Sequence, residues 1–390
     1  MTRPKSLRIT VWATTLGPDL YTLCRYLEKR EDTELSVFMP DPERFKTEAA
    51  WKLSPLRSPV YPKGPAAYAR AVSRFSDITI VDNAVPYLKT SRKLFILWHG
   101  FGWRKDHLGF MKRCISLGWG SPVRPNRNFR WQCFGEWDRD FRALSSGLHA
   151  ENLAVLGSAF HDEVKIPLDK SEVASHYPLD VISRKTVLLA PTWHYEGLFS
   201  QWGDEERIFS ALIHFLEERN ANLILRLHDT RRYEKSYVRM ILETGEKYPH
   251  VFIKFRDRFQ DNTVDLRLAD VLVTNFSSIA NYFYATGRPA LHIYPVRDAD
   301  AAYFQRRLPA GILVKEKIPK AGWMWKLPLE ENGGLLARSE AEFFSGLERA
   351  LTEPFCCRDK SRAFLDKYMM GADGRSCQRI VDSLQRFLGE

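Results

Sequence analysis

Between residues 186 and 294 short apolar runs alternate with amphipathic stretches, and this alternation limits the fold more than any other feature. Residues 186–190, 222–227, 251–255, 271–273 and 290–294 read as buried strands. Between them 206–219, 233–247, 263–268 and 279–285 carry helical spacing, and Gly287 with Pro289 closes the last. Strand–helix alternation at this interval implies a parallel, doubly wound sheet. The first half repeats the pattern less cleanly, with strands expected at 7–12, 35–39, 78–81, 94–98 and 152–156 and a helix through 21–27. Residues 101–120 show no clean helical period, and the polar stretch 162–185, with Pro167 and Pro178, reads as a linker. The expected fold is α/β, with two doubly wound, Rossmann-like domains facing a cleft. They span 1–165 and 185–355, and a helical tail covers 356–390.

Four of the expected strands run into polar residues. The strand at 94–98 meets His99 and Gly100, and that at 186–190 meets Pro191, Thr192, Trp193 and His194. The strand at 222–227, which carries Arg226, meets His228 and Asp229. The strand at 271–273 meets Asn275, Phe276, Ser277 and Ser278, where a serine is placed to cap the following helix. Open parallel sheets bind ligands beyond the carboxyl ends of their strands, so these residues should converge on one cleft. Hydroxyls and free N–H groups at a strand-to-helix turn suit a phosphate. Taken singly, each has a plainer reading as a cap or a structural histidine.

Hydrophobic content of 44% and charged content of 27% exclude a disordered chain, and a net charge of +10 favours anionic partners. Cys24, Cys114, Cys133, Cys356, Cys357 and Cys377 have no C-x-x-C spacing, so reduced thiols are expected rather than a zinc site or disulfide framework. The adjacent Cys356 and Cys357 form the expected exposed pair. Neither a signal-peptide apolar region nor a run of transmembrane length is visible, and a cytoplasmic protein held on the inner face of the membrane is expected.

Taken in order, Trp98-His99-Gly100, Ala190-Pro191-Thr192-Trp193, Leu225-Arg226-Leu227-His228, 270–278, Gly287-Arg288-Pro289 and Asp373-Gly374-Arg375-Ser376 resemble the CDP-glycerol glycerophosphotransferase family. These enzymes build glycerol-phosphate polymers such as teichoic acids. The resemblance runs from about Leu94 to about Leu384 and implies a glycosyltransferase-B architecture. It implies His99 as general base, and His228 with Ser277 and Ser278 at the donor phosphates. Thr192 and Arg226 could assist there. The implied reaction moves glycerol phosphate, or a similar polyol phosphate, from a CDP-linked donor to a hydroxyl of a cell-surface glycan or lipid-linked acceptor, with CMP leaving. No cofactor is implied.

The chain departs from the family at several points. Phe101-Gly102 stands where the family has Thr-Pro, His194 where it has Arg, and Asp229 where it has Pro. Arg104 or Lys105 would fill the place of a family lysine, with Trp103 beside them facing acceptor or membrane. Asn281-Tyr282 replaces an acidic position in the helix after the serines, which leaves the donor's identity open.

From Arg104 to Arg142 aromatics interleave with cations, among them Phe110, Trp119, Phe129 and Trp131. Such composition suits either a membrane surface with rings at headgroup level or a half-buried domain face. The pairs Asp138/Asp140 and Asp298/Asp300 read as solvated surface rather than metal ligands, and metal independence is expected. Two alternatives stand beside the transferase: a nucleotide-sugar glycosyltransferase of the same fold, and a non-enzymatic binder of anionic polymer or nucleic acid. Histidines at strand ends, away from the basic stretch, count against nucleic acid.

Overall fold

The computed structural model describes residues 6–98, 100–102, 107–192, 197–294, 301–307, 312–319 and 326–390, with backbone alone at 305–307. Seven parallel strands form the first sheet: β1 Leu7–Trp12, β2 Thr33–Met39, β3 Val60–Pro62, β4 Ser76–Val81, β5 Ser91–Ile96, β6 Phe129–Cys133 and β7 Leu153–Val155. They lie in the order β3-β2-β1-β4-β5-β6-β7. The second sheet contains β8 Lys185–Leu189, β9 Ala221–Leu227, β10 Val251–Phe255, β11 Val271–Thr274 and β12 Ala290–Ile293. Its order is β10-β9-β8-β11-β12-β15, where β15 is Leu335–Ala337. A separate antiparallel ribbon joins β13 Ala302–Arg307 to β14 Val314–Pro319. Each large sheet thus reverses direction once, between β1 and β4 and between β8 and β11. The expected pair of doubly wound sheets is present.

The strands read as apolar runs because helices cover both faces of these sheets. The helix Glu205–Glu218 shows how one cover is built. Asp204 caps it by accepting the Arg207 N–H at 3.1 Å, and Ile208, Phe209, Leu212, Ile213 and Leu216 form its buried stripe. Each such side chain contributes about 1.5–3 kcal/mol on burial.

Three expectations for the first half need correction. Residues 108–116 form a regular helix, Leu108–Ser116, within the stretch that lacked a clean period. The edge strand β3 and the strand β6 were not anticipated. The aromatics around them do not face a membrane: Trp119, Phe129 and Trp131 are fully buried. In β6 the rings alternate with Arg130 and Gln132 within a sheet strand, which favours the half-buried domain face of the two readings offered by the composition. The stretch read as a linker packs closely, with Val164, Val173, Tyr177, Leu179 and Val181 all in the core.

The tail turns back onto the first domain. The helix Ser376–Gly389 lies against the helix Pro18–Leu27, and Lys93 of β5 donates to the Phe387 carbonyl. Asp162 starts this last helix by accepting the N–H groups of Ser376 and Cys377 at 2.9 and 2.7 Å. The Asp373-Gly374-Arg375-Ser376 block serves the same turn. Gly374 has φ +80°, and Asp373 accepts from Arg375 N and pairs with Arg379 at 2.7 Å. All six cysteines are free, but Cys357 is buried, so the expected exposed pair reduces to Cys356.

Candidate functional site

A cleft of about 410 Å³ opens between the sheets at both reversal points. From the first sheet, Thr15 and Asp19 follow β1, Asp82 and Asn83 follow β4, and Leu97 and Gly100 follow β5. From the second, Thr192 follows β8, His228 follows β9, Arg256 follows β10, and Ser277 and Ser278 follow β11. Because the strands are parallel, all of these residues lie beyond the carboxyl ends of their strands, at one edge of each sheet.

Of the residues singled out by sequence, Thr192, Arg226, His228, Ser277 and Ser278 meet in this cleft. His99, Trp103, Arg104 and Lys105 lie outside the described residues, as do His194, Asp298 and Asp300.

His228 closes β9, and its backbone N–H donates to the Tyr233 hydroxyl at 3.0 Å. Its Nδ1 accepts the Asp229 N–H at 2.8 Å, so the neutral ring carries its proton on Nε2. Burial first, then the charges of Arg256 and Arg232, push its pKa down to about 4. The nearby Asp229 carboxylate, 3.3 Å from Nδ1, therefore faces a neutral imidazole over most of the pH range. Burial alone would raise Asp229, but Arg256 grips it at 2.8 and 2.7 Å and holds its pKa near 2. The result is a fixed N–H donor at the cleft beside a neutralised ion pair.

Arg226 is committed within the fold. Its terminal nitrogens reach Asp265 at 3.3 Å and the carbonyls of Phe259 and Gln260 at 3.2 and 3.1 Å. Lys254 also binds Asp265, at 2.8 Å. Arg226 thus adds positive potential to the cleft wall while anchoring the 259–260 loop.

The serines behave differently from the expected cap. Neither hydroxyl caps the helix Ile279–Tyr284, which has only six residues, and Ser278 has helical dihedrals at its start. The Ser278 hydroxyl instead accepts the Phe101 N–H at 3.2 Å, tying the loop after β5 to the second domain. Thr192 is held by its own N–H, which donates to Asn275 Oδ1 at 2.9 Å, and its buried hydroxyl has no hydrogen-bond partner among the described residues. A buried hydroxyl without a partner in a cleft wall is suited to a ligand oxygen.

The loop around Gly100 is gripped by residues that sequence reading placed on the surface. Asp138 is fully buried and accepts the N–H groups of Gly102 and Phe134 at 3.0 and 3.1 Å. It pairs with the equally buried Arg142 at 3.0 Å, and Arg142 donates to the Gly100 carbonyl at 3.1 Å. Phe101 stacks on Trp137 with centroids 4.9 Å apart. The Phe101-Gly102 departure therefore fills an aromatic cluster, and the glycine supplies the φ of +56° that this turn needs. The period of the helix Glu136–Ser146 carried a signal that was overlooked, because Asp138 and Arg142 lie four apart on its inner face.

Other cleft residues were missed. Asp82 accepts the N–H groups of Thr14 and Thr15 at 2.7 and 3.0 Å and fixes the turn after β1. It follows a strand, so the strand-end rule could have found it. Tyr282 donates to buried Asp19 at 2.5 Å across the two domains, which explains how this chain fills the position where an acidic residue was expected. Burial raises the Asp19 pKa against the hydrogen bonds of Ser158 and Tyr282. Lys326, whose Nζ donates to the Phe101 carbonyl at 3.0 Å, sits in a long connection where no local pattern marked it. Among the described residues no group of three His, Cys, Asp or Glu is placed to hold a metal.

Comparison with known proteins agrees with this geometry. Residues 151–308 match the CDP-glycerol:poly(glycerophosphate) glycerophosphotransferase family. This is the family that the short sequence blocks implied. Two teichoic acid ribitol-phosphate polymerases of Staphylococcus aureus (strain NCTC 8325 / PS 47), TarK and TarL, are 25% and 24% identical over 80% and 79% of this chain. Those alignments cover 56% and 51% of the polymerases, so the chain spans about half the length of these curated relatives. The wall teichoic acid polymerase TagF, solved as a histidine-to-alanine variant, superposes with a TM-score of 0.69 at 14% identity. That match covers 98% of this chain and 89% of the TagF chain. The S. aureus MnaA–UDP co-structure gives 0.54 at 10% identity over 98% and 97% of the two chains. At such identities the structural likeness is one of fold. The family and the named polymerases are enzymes.

Proposed function

We propose that the chain transfers glycerol phosphate, or a similar polyol phosphate, from a CDP-linked donor to a hydroxyl of a cell-surface glycan or lipid-linked acceptor, releasing CMP. The observation that carries this reading is the meeting of Thr192, His228, Ser277 and Ser278 at the reversal point of the second sheet, within one cleft. A neutral Nε2–H, three hydroxyls and the wall charge of Arg226 form a set of donors for a pyrophosphate, and they stabilise charge on departing CMP. Arg256 and Asp229 neutralise each other, so their part is to fix the His228 ring. Leu97 and Gly100 line the opposite wall, and in this reading His99, which lies between them in sequence, takes the acceptor's proton as general base. TagF was also solved after a CDPG soak, and TarK and TarL are named ribitol-phosphate polymerases; both favour a CDP-linked polyol phosphate.

CMP release from CDP-glycerol, with CDP-ribitol and UDP-glucose alongside and membrane extract as acceptor source, tests the proposal. His99→Ala should lower the rate roughly 100- to 10,000-fold. Release of UDP from UDP-glucose would favour instead a nucleotide-sugar enzyme of the same fold. Tyr282 and Asn281 at the expected acidic position, and the likeness to MnaA, keep that second reading open.

A further inference from the structure

The ribbon β13–β14 falls between β12 and β15 in the chain and packs against the helix Glu136–Ser146 of the other domain. Its register pairs Phe304 with Lys317, Arg306 with Lys315 and Ala302 with Pro319. Directly paired residues share a face of an antiparallel ribbon, and alternate positions take the other face. The described side chains on the first face, Ala302, Phe304, Lys315, Lys317 and Pro319, are all exposed. On the second, Tyr303, Glu316 and Ile318 are half-buried, and Val314 at its end is 36% exposed. The ribbon's one carboxylate, Glu316, is therefore on the sheltered face, while the outward face carries cations and Phe304 with no acidic residue.

The apolar residues are as unusual as the charges. Phe304 is 61% exposed with Lys315 4.8 Å above its ring, and Ile312 and Leu313, just before the second strand, are 67% and 50% exposed. Scattered surface leucines are ordinary, but an aromatic and two aliphatics on one small cationic ribbon form a patch. A soluble anionic polymer would satisfy the lysines and leave Ile312 and Leu313 in water. Only a surface that is anionic at its boundary and apolar just beneath matches both.

We infer that the outward face of this ribbon docks on an anionic lipid bilayer, with Ile312, Leu313 and Phe304 entering the headgroup–acyl boundary and Lys315 and Lys317 on the lipid phosphates. This would bring the chain to the surface that carries a membrane-borne acceptor. The inference stands apart from the transferase reading, because vesicle binding needs no turnover.

Co-sedimentation of the full chain with phosphatidylglycerol/phosphatidylcholine vesicles, against pure phosphatidylcholine, provides the test. Binding should require phosphatidylglycerol and weaken with salt. Lys315→Gln with Lys317→Gln should weaken it roughly 30-fold, at about 1 kcal/mol per cation near the surface. Ile312→Ser with Leu313→Ser should weaken it at least about tenfold, given the area withdrawn from water. Each variant alters exposed side chains, so an unchanged thermal midpoint shows that folding is retained. A Leu313→Trp variant should shift its emission to the blue on phosphatidylglycerol vesicles. Equal binding to both vesicle types, indifference to either double substitution, or a tryptophan that stays in water would each overturn the inference. The CMP-release assay is untouched by any of these results.

Discussion

The residues that position the loop after β5 contribute more to the site than their composition suggested. Asp138 and Arg142 are both fully buried, and each holds a backbone group of residues 100–102. Removing one partner of a buried pair leaves an uncompensated charge, which costs about 3–5 kcal/mol. Asp138→Ala should therefore lower the unfolding free energy by about that amount, and any residual folded protein should turn over poorly because Gly102 loses its acceptor. Urea unfolding with activity on the same samples checks both. Histidine protonation gives a second prediction. His161, His228 and His292 each have a pKa pushed down to about 4, burial being the largest cause in every case. An unfolded histidine titrates near 6.5, so as pH falls the unfolded chain binds these protons first. Stability should decline as pH drops from about 6.5 towards 4, and a flat thermal midpoint over that window would contradict the shifts.

At the scale of elements, the strand ends were legible and the connections were not. Thr192, His228 and Ser277 could be placed because buried parallel strands are continuous apolar runs, and a polar residue after such a run marks its carboxyl end. The same logic left two readings open for 104–142. Rings alternating with cations have one composition whether the strand is β6 inside a sheet or a ribbon on a membrane, and only burial separates the two. The serine turn failed for another reason: the Ser278 hydroxyl is taken by Phe101 N, a partner distant in sequence. Lys326 carried no local signal at all. Helix starts are more predictable in energy. Asp162 supplies acceptors to two N–H groups of the helix Ser376–Gly389, so Asp162→Ala should cost about 0.5–2 kcal/mol. Hydrogen exchange should speed first at the amides of that last helix, and exchange unchanged there would remove the capping role.

For the molecule as a whole, the two sheets communicate through a few polar ties across the cleft. Tyr282 reaches Asp19, Ser278 reaches Phe101, and Glu48 accepts the Gln260 N–H at 2.7 Å. Burial raises the Glu48 pKa to about 7, against the lowering effect of Lys254. A carboxyl with its folded pKa above the unfolded value stabilises below the unfolded pKa, and that contribution is lost as pH rises through the folded one. Glu48→Gln, which keeps an acceptor oxygen and removes the charge, should match the native chain near pH 5 and be the more stable near pH 8. Thermal unfolding at the two pH values would show it, and a variant less stable at pH 8 would mean that the ionised carboxylate is what ties the domains.

The tail's return onto the first domain has a consequence for biosynthesis. The helix Pro18–Leu27 leaves the ribosome well before the helix that shields it, Ser376–Gly389, which lies in the other half of this chain. At ordinary synthesis rates the interval is roughly 20–80 s. Throughout it the nascent first sheet can form its strands but not its finished surface, and the side chains that will contact the tail stay open to chaperones or to neighbouring chains. The half that is made earlier waits on the half that is made later.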